Sequence, residues 1–532
     1  MHEAPERIVR RFAAAGNLVV SGQATAVVPD DDTTAALRDL LSRLGAVICG
    51  VGDAEYVYAD GDAGVRLAAE DLVDGAVVIE CGDEPAFEAG GQAQSEPTRS
   101  PFLAFRDAGR LIRVLPAHAV RELVTDVSDA DARLQWAHDF MRACEVQVQR
   151  LGRTLTGTTF GISMVLEPKT ANLALFLREA GARVVLYAHA DETDPAIAEA
   201  LRRRGFTVHA STDESRQLAN ARSFLAEGID FLLDDGSHLI RLALMDGVSL
   251  RGAAEETTSG LRPLRAMGDA LTVPVVAVND ARMKTRFDNR YGTGQSCVFA
   301  IADLLDGIGR GFDGSPVTVI GYGPVGEGVA QHARALGGDV TVVEDDPVRV
   351  LEARSAGYAT APAAPAIARG GIVISATGVA RTVPVDLLRA APRDTVFAVA
   401  GGVIDEIELS AAISSGATWE SGLAPKVERL RLDASHAVVV LDRGGCINIT
   451  AAEGNPVQIM DYSFAAQLAA ARLLAEGAFP RPGVHPLPPS EDQAIAAGLL
   501  ARPVPAGPAF EPAAVDWLPA RFPDARPNPR ER

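Results

Sequence analysis

"PVTVIGYGPVGEGVAQHARALGGDVTVVEDD", Pro316 to Asp346, decides how this chain of 532 residues is read. A β-branched run leads into Gly321, Gly323 and Gly326, a helical pattern follows, and a second β-branched run ends on Glu344. The first glycine permits a tight turn, the second lets backbone approach a pyrophosphate, and the third lets the helix pack close to the strand. The helix N-terminus then offers free N–H groups to the phosphates. Glu344 follows Gly326 by eighteen residues. A carboxylate there accepts hydrogen bonds from the ribose hydroxyls of NAD and repels the extra phosphate of NADP. A bare GxGxxG also occurs at glycine-rich turns of unrelated α/β proteins. Here strand, helix, second strand and terminal acid agree, and the segment reads as an NAD site.

The same alternation extends outward. "ARVVLYA", "FTVHA", "IDFLLDD", "VPVVAVND", "IVISATG" and "TVFAVAGG" are short apolar runs separated by helical patterns, as in parallel sheets covered by crossover helices. The fold class is therefore α/β. Residues 1–125 carry their own strand-like runs, "NLVV", "GAVICGVG", "GAVVIECGD" and "RLIRVL", with an irregular interruption at "EAGGQAQSEPTRSP". They are read as an accessory α/β module. The NAD site sits near the middle of the chain with α/β material on both sides, which suggests a cofactor domain inserted into, or following, a substrate domain. A proline-rich tail is expected over 481–532, with "PAGPAFEP" and "RFPDARPNPRER" in it largely irregular.

Composition narrows the function classes. Fifty Lys+Arg against seventy Asp+Glu give a net charge of −20, so nucleic acid and anionic membranes are repelled unless a local basic patch intervenes. No stretch has the roughly 18–20 apolar residues of a membrane span, and "MHEAPERIVRRF" lacks the apolar segment of a secretory signal; a cytoplasmic location is expected. Five cysteines without metal spacing read as reduced, mostly core thiols, and no metal site is expected.

Upstream of the glycine turn stands "VPVVAVNDARMKTRFDNRYGTGQS", Val273 to Ser296. Lys284 and Asp288 are four apart, which on a surface helix makes an ion pair worth only about 0.3–0.5 kcal/mol. In a dry pocket beside a cofactor, the lysine is tuned toward neutrality and one of the pair accepts a hydroxyl proton. Asp234 and Asp235 in "LLDDGSHL" lie either in a turn that caps the next helix or at the carboxyl end of a strand, where open α/β sheets collect ligands.

Together with "LEPKTANLALFLREAGARV" (Leu166 to Val184), "EETTSG" and "NPVQIMDYSFAAQLAAA", these stretches resemble the S-adenosylhomocysteine hydrolase family, in particular its archaeal-like branch, over about Asp129 to Leu500. The resemblance implies two doubly wound parallel-sheet domains, a substrate-binding, catalytic one over 126–295 completed by 445–480 and a Rossmann domain over 296–444, and a tightly held NAD that oxidises a nucleoside 3′-hydroxyl. That acidifies C4′–H and allows chemistry at C5′. It implies that Lys284 and Asp288 handle the 3′-hydroxyl proton, with Asn289 next to the nicotinamide. Asp235 is the base near C4′, and Glu256 binds the ribose hydroxyls. Glu167 and Asn455 are further substrate-side positions, and Asn448 is near the carboxamide. A nucleoside substrate and a homo-oligomer, dimer or tetramer, are expected.

The chain departs from the family where three histidines are due: Val165 stands before "LEPKTA", Gly402 in "AGGVIDEIE", and Asn455 in "EGNP". Valine transfers no proton, so the oxidising half of the mechanism is intact while the 5′ half lacks its acid; His189 and His238 are candidate replacements. The terminus "PDARPNPRER" lacks the family's lysine- and tyrosine-bearing tail, so exchange of that tail between subunits is not expected. A non-catalytic relative that keeps NAD for sensing or partner binding is the alternative. An NAD-dependent 2-hydroxyacid or alanine-type dehydrogenase would need a histidine–carboxylate pair at the nicotinamide that cannot be placed here.

Overall fold

A computed structural model describes residues 3–122 and 128–500. Three sheets result from the alternating pattern. The first runs Val47–Ile48, Ala24–Val28, Tyr56–Ala59, Val77–Glu80, Arg110–Leu115, Leu103–Asp107, Gln94–Glu96. The second runs Thr207–His209, Arg183–Tyr187, Thr159–Ser163, Phe231–Asp234, Gly252–Glu255, Pro274–Ala277, Gly483–Pro486, all parallel. The third runs Ala359–Thr360, Asp339–Val343, Pro316–Ile320, Ile372–Ser375, Val396–Val399, Ala437–Leu441, Val427–Arg431, Thr418–Ala424, with its last two pairings antiparallel. Helices cover the faces because these strands are buried at every position and apolar up to a polar last residue, as "VVIE", "FLLD" and "IVIS" are.

Two expectations are corrected. "NLVV" is not a strand. It is a buried connection whose backbone is satisfied by side chains: Gln295 Oε1 accepts from Val20 N (2.9 Å), Gln295 Nε2 donates to Leu18 O (2.9 Å) and Gln458 Oε1 accepts from Val19 N (3.2 Å). The strand lies just beyond it. The tail expected from 481 is part of the fold over its described residues, where it carries a strand and a helix. Gly483–Pro486 pairs with Pro274–Ala277, and helix Pro489–Leu499 follows because Pro at its first position and Glu491 and Asp492 in its first turn favour a helix start. Asp492 then caps residues 282 and 283 from across the fold, accepting from both backbone N–H groups at 2.9 Å. Inside "EAGGQAQSEPTRSP", Gln94–Glu96 forms an edge strand. The expected boundary at 125 and the irregular segments expected within 501–532 lie outside the described residues.

The N-terminal sheet shares one continuous apolar core with Trp136 and with helix Thr293–Asp306. Arg10 reaches Asp303 and Asp306 of that helix, Trp136 Nε1 donates to Gly16 O at 2.8 Å, and Val457 N donates to Asn17 O at 2.8 Å.

Candidate active site

The site forms where four neighbouring parallel strands of the second sheet end. Thr159–Ser163, Phe231–Asp234, Gly252–Glu255 and Pro274–Ala277 all deliver their carboxyl ends to one edge, the place where loops of such sheets converge on ligands. Asp234 is the capping residue: its Oδ2 accepts from Leu239 N (2.9 Å) and Ile240 N (2.8 Å). Asp235, the next residue, points elsewhere; its own N–H donates to Ser163 O at 2.9 Å. Burial pushes its carboxyl above the usual range; the Lys284 ammonium opposes that and Asp288 reinforces it.

Beyond the strand Pro274–Ala277, a short helix Arg282–Thr285 carries Lys284, and a π-helical turn Asp288–Gly292 carries Asp288 and Asn289. Lys284 Nζ lies 2.9 Å from Asp288 Oδ2, donates to Asn289 Oδ1 at 2.7 Å, and stands 4.0 Å from Glu256 Oε1. The Lys284 and Asp288 side chains are only 5% and 4% exposed, which rules out the surface ion pair. The expected drift of Lys284 toward neutrality is not found. Burial pulls its pKa down, but Asp288, Glu256 and Asp235 outweigh burial and the net shift is upward, so it is held as a cation.

Glu256 is buried between Lys284 and the helix Val457–Ala475, where Ser463 Oγ donates to Oε1 and Gln467 Nε2 donates to Oε2 at 2.5 Å. Burial raises its pKa more than Lys284 lowers it. Asn289 Nδ2 donates to Asn279 Oδ1 at 3.2 Å. Sequence reasoning missed Asn279, Ser463 and Gln467. The signal was there for the last two, since polar residues four apart in an otherwise apolar, buried helix must face polar partners.

Asn455 is tied to the same cluster. Its Nδ2 donates to Asp288 Oδ1 and to Thr293 Oγ1 (3.1 Å), while its Oδ1 accepts from Ser296 Oγ (3.0 Å) and Asn448 Nδ2 (3.1 Å). Asn448 also accepts from Cys446 Sγ at 3.0 Å. Glu167 stands apart as the N-cap of helix Pro168–Glu179, accepting from Lys169 N (2.9 Å) and Thr170 N (3.2 Å) and pairing with Lys169 Nζ at 3.1 Å. A cavity of about 530 Å³ opens past the end of strand Arg183–Tyr187, lined by Tyr187, His189, Asp191, Glu214 and His238 among others and by none of the Lys284 cluster. The His189 and His238 rings meet edge to face at 5.2 Å, and His238 is exposed at its rim.

The glycine turn bears the features a dinucleotide needs. Gly321 has φ +93°, open only to glycine at low cost, and a Cβ on Gly326 would lie 1.9 Å from Gly321 O. A Cβ on Gly323 would meet nothing nearer than Arg349 Nη1 at 3.4 Å, so that face of the backbone is open to a ligand. Helix Pro324–Ala335 starts there, and its first N–H groups have no intrahelical acceptor. Glu344 sits at the rim, its Oε2 accepting from Tyr322 N at 2.7 Å.

Residues 289–454 match the family model for the S-adenosyl-L-homocysteine hydrolase NAD-binding domain. An adenosylhomocysteinase of Thermotoga maritima is 36% identical over 387 residues, covering 70% of this chain and 94% of that protein. The chain belongs to the adenosylhomocysteinase family. An S-inosyl-L-homocysteine hydrolase of Methanopyrus kandleri is 35% identical over 382 residues (68% of this chain, 88% of that protein), and an adenosylhomocysteinase of Gloeobacter violaceus is 34% identical over 386 residues (69% and 88%).

In this NAD-dependent enzyme of the family the glycine turn follows a strand of one sheet and the Lys284 cluster gathers at the end of another, with the π-turn between them. Helix Pro324–Ala335 meets the π-turn so closely that a Cβ on Gly328 would lie 1.8 Å from Arg290 O, and it meets helix Thr293–Asp306 so closely that a Cβ on Gly294 would lie 2.7 Å from Gly328 C. Gly402 is exposed, and a Cβ there would meet no atom within 4 Å. No helix among the described residues is long and apolar enough to cross a membrane.

Proposed function

We propose that this enzyme cleaves S-adenosylhomocysteine or a closely related nucleoside thioether such as the S-inosyl compound. The observation that carries the reading is the Lys284 ammonium, buried and gripped by Asp288, Asn289 and Glu256 beside Asp235. NAD, when bound, supplies a two-electron oxidation at the ribose C3′. Glu256, fixed by Ser463 and Gln467, binds the ribose hydroxyls. Lys284 stays charged and orients the 3′-oxygen while Asp288 takes its proton. Asp235, a carboxylate whose basicity is raised by burial, removes the proton from C4′, and the C5′ substituent departs with the C5′–S electron pair. Gly321, Gly323, Gly326 and Glu344 hold the dinucleotide, with Asn289 and Asn448 at its nicotinamide end. In this reading residues 126–295 with 445–480 bind the nucleoside, and 296–444 bind the cofactor.

The test uses full-length protein whose NAD content has been verified by mass spectrometry. S-Adenosylhomocysteine and S-inosylhomocysteine are each added, and absorbance at 340 nm and free homocysteine are followed. The expected result is a nucleoside-dependent absorbance rise and release of homocysteine with at least one of them. Neither signal with either compound would overturn the proposal.

A further inference from the structure

The structure assigns Glu192 as the catalytic acid that protonates the 5′ leaving group, an inference that rests on the hydrolase reading above. Glu192 ends the turn Ala190–Glu192 that follows strand Arg183–Tyr187. Leu166 N donates to Glu192 O at 2.9 Å and Asp194 N donates to Leu166 O at 3.0 Å, so Leu166 and Thr193 form a parallel bridge. In that register Val165 pairs with Glu192. Side chains alternate along such a pair: Leu166 and Thr193 are buried, while Val165 and Glu192 are both half-buried on the opposite face. Glu192 therefore presents a carboxyl beside the position where valine offers no proton.

Three consecutive strand ends line up here. Glu192 follows Arg183–Tyr187, Val165 follows Thr159–Ser163, and Asp235 follows Phe231–Asp234, with Asp235 N bonded to Ser163 O. The other acids at this edge are engaged. Asp234 caps a helix, Glu255 accepts from Gly236 N, Ser237 N and Thr257, and Glu256 is held by Ser463 and Gln467. Among the described residues, no hydrogen bond or ion pair engages the Glu192 carboxyl. The charged and titratable groups facing it are Asp191 on its own turn, Asp235 and Asp234 from the neighbouring strand end, and Cys446 from the turn before Asn448. Burial, with repulsion from Asp235 and Asp191, pushes Glu192 up to about 8, so it carries a proton at neutral pH. His238 is exposed, and its Nδ1 faces Arg241 Nη2 at 3.4 Å.

The step balances. As the electron pair at C4′ forms the C4′=C5′ bond, the C5′–S bond breaks with its pair on sulfur, and the Glu192 proton passes to that sulfur. When water adds to C5′, the same carboxylate takes a proton from the incoming oxygen and is reset.

E192Q in the NAD-loaded full chain tests this, alongside His189→Asn, with thermal unfolding midpoints establishing that both fold. The expected result for E192Q is a fall in kcat for homocysteine release of about 10²- to 10⁴-fold. KM should be little changed, and deuterium incorporation at C4′ from D₂O, read by NMR, should persist. Wild type should lose kcat as pH rises through about 8, H189N should keep that limb, and E192Q should lack it. Release by E192Q within threefold of wild type, a defect confined to KM, or a basic limb that disappears in H189N instead would each overturn the assignment. Absence of both C4′ exchange and homocysteine release in wild type would overturn the hydrolase reading itself.

Discussion

Lys284 has exchanged water for three oxygen-bearing side chains, and its charge is set by Asp288 four residues on together with Glu256 and Asp235 from far upstream. Lys284→Ala leaves Asp288 buried without its cation, which typically costs about 3–5 kcal/mol. The thermal midpoint should fall and the nucleoside-dependent rise at 340 nm should vanish; a midpoint within 1 °C of wild type would show that the pair is not buried in solution. The four-residue spacing of Lys284 and Asp288 was legible in the sequence, and so was their chemistry once the glycine turn stood downstream. What could not be read was the protonation state. Isolated spacing says nothing about Glu256 and Asp235, which arrive from strand ends roughly thirty and fifty residues upstream and add to Asp288 in keeping the lysine charged. Asn455 was legible as a substitution but not as a hub, because its four hydrogen bonds reach residues as distant in the chain as Asp288.

At the scale of elements, the π-turn Asp288–Gly292 aims Asp288 and Asn289, and two helices hold it. The contact of Gly328 with Arg290 O leaves no room for a methyl group. Gly328→Ala should force the helices apart, cost on the order of 1–3 kcal/mol, and lower NAD retention after gel filtration, although Gly328 lies outside the GxGxxG motif. Unchanged NAD content and midpoint would refute this. Strands rich in Val and Ile were readable from their composition. "GAAE" was not, because Gly252 and two alanines are dictated by the helix above, where a Cβ on Gly252 would meet Leu474 Cδ2 at 2.8 Å. "NLVV" misled for the converse reason. An apolar run signals burial, but side-chain amides of Gln295 and Gln458 replaced the ladder that would have made it a strand. A π-turn leaves no periodic trace in sequence.

For the whole molecule, the N-terminal module is joined to the loop that carries Asn455. Arg99 pairs with Glu453, Asn17 Nδ2 donates to Glu453 O at 2.8 Å, and Lys169 Nζ donates to the same carbonyl at 2.9 Å, two residues before Asn455. Burial raises Glu453, but Arg99, Lys169 and Arg133 outweigh it and hold the carboxyl down to about 2. A depressed carboxylate stabilises the fold above the ordinary value of 4.5, and that stabilisation is lost as pH falls from there toward 2. Glu453→Gln should therefore be less stable than wild type near pH 6 by on the order of 2–3 kcal/mol, with the gap closing as the solution is acidified. A gap independent of pH in chemical denaturation would exclude the link. No composition argument foretold this union, since the module has no counterpart in the resemblance and its contacts form only in three dimensions. Another long-range closure has a bearing on synthesis. Strand Pro274–Ala277 gains its outer neighbour, Gly483–Pro486, only after the entire cofactor domain has been made. At about 5–20 residues per second, a ribosome leaves that edge uncovered for on the order of 10–40 s, the interval in which the nascent chain is most open to capture by chaperones or by other unfinished copies.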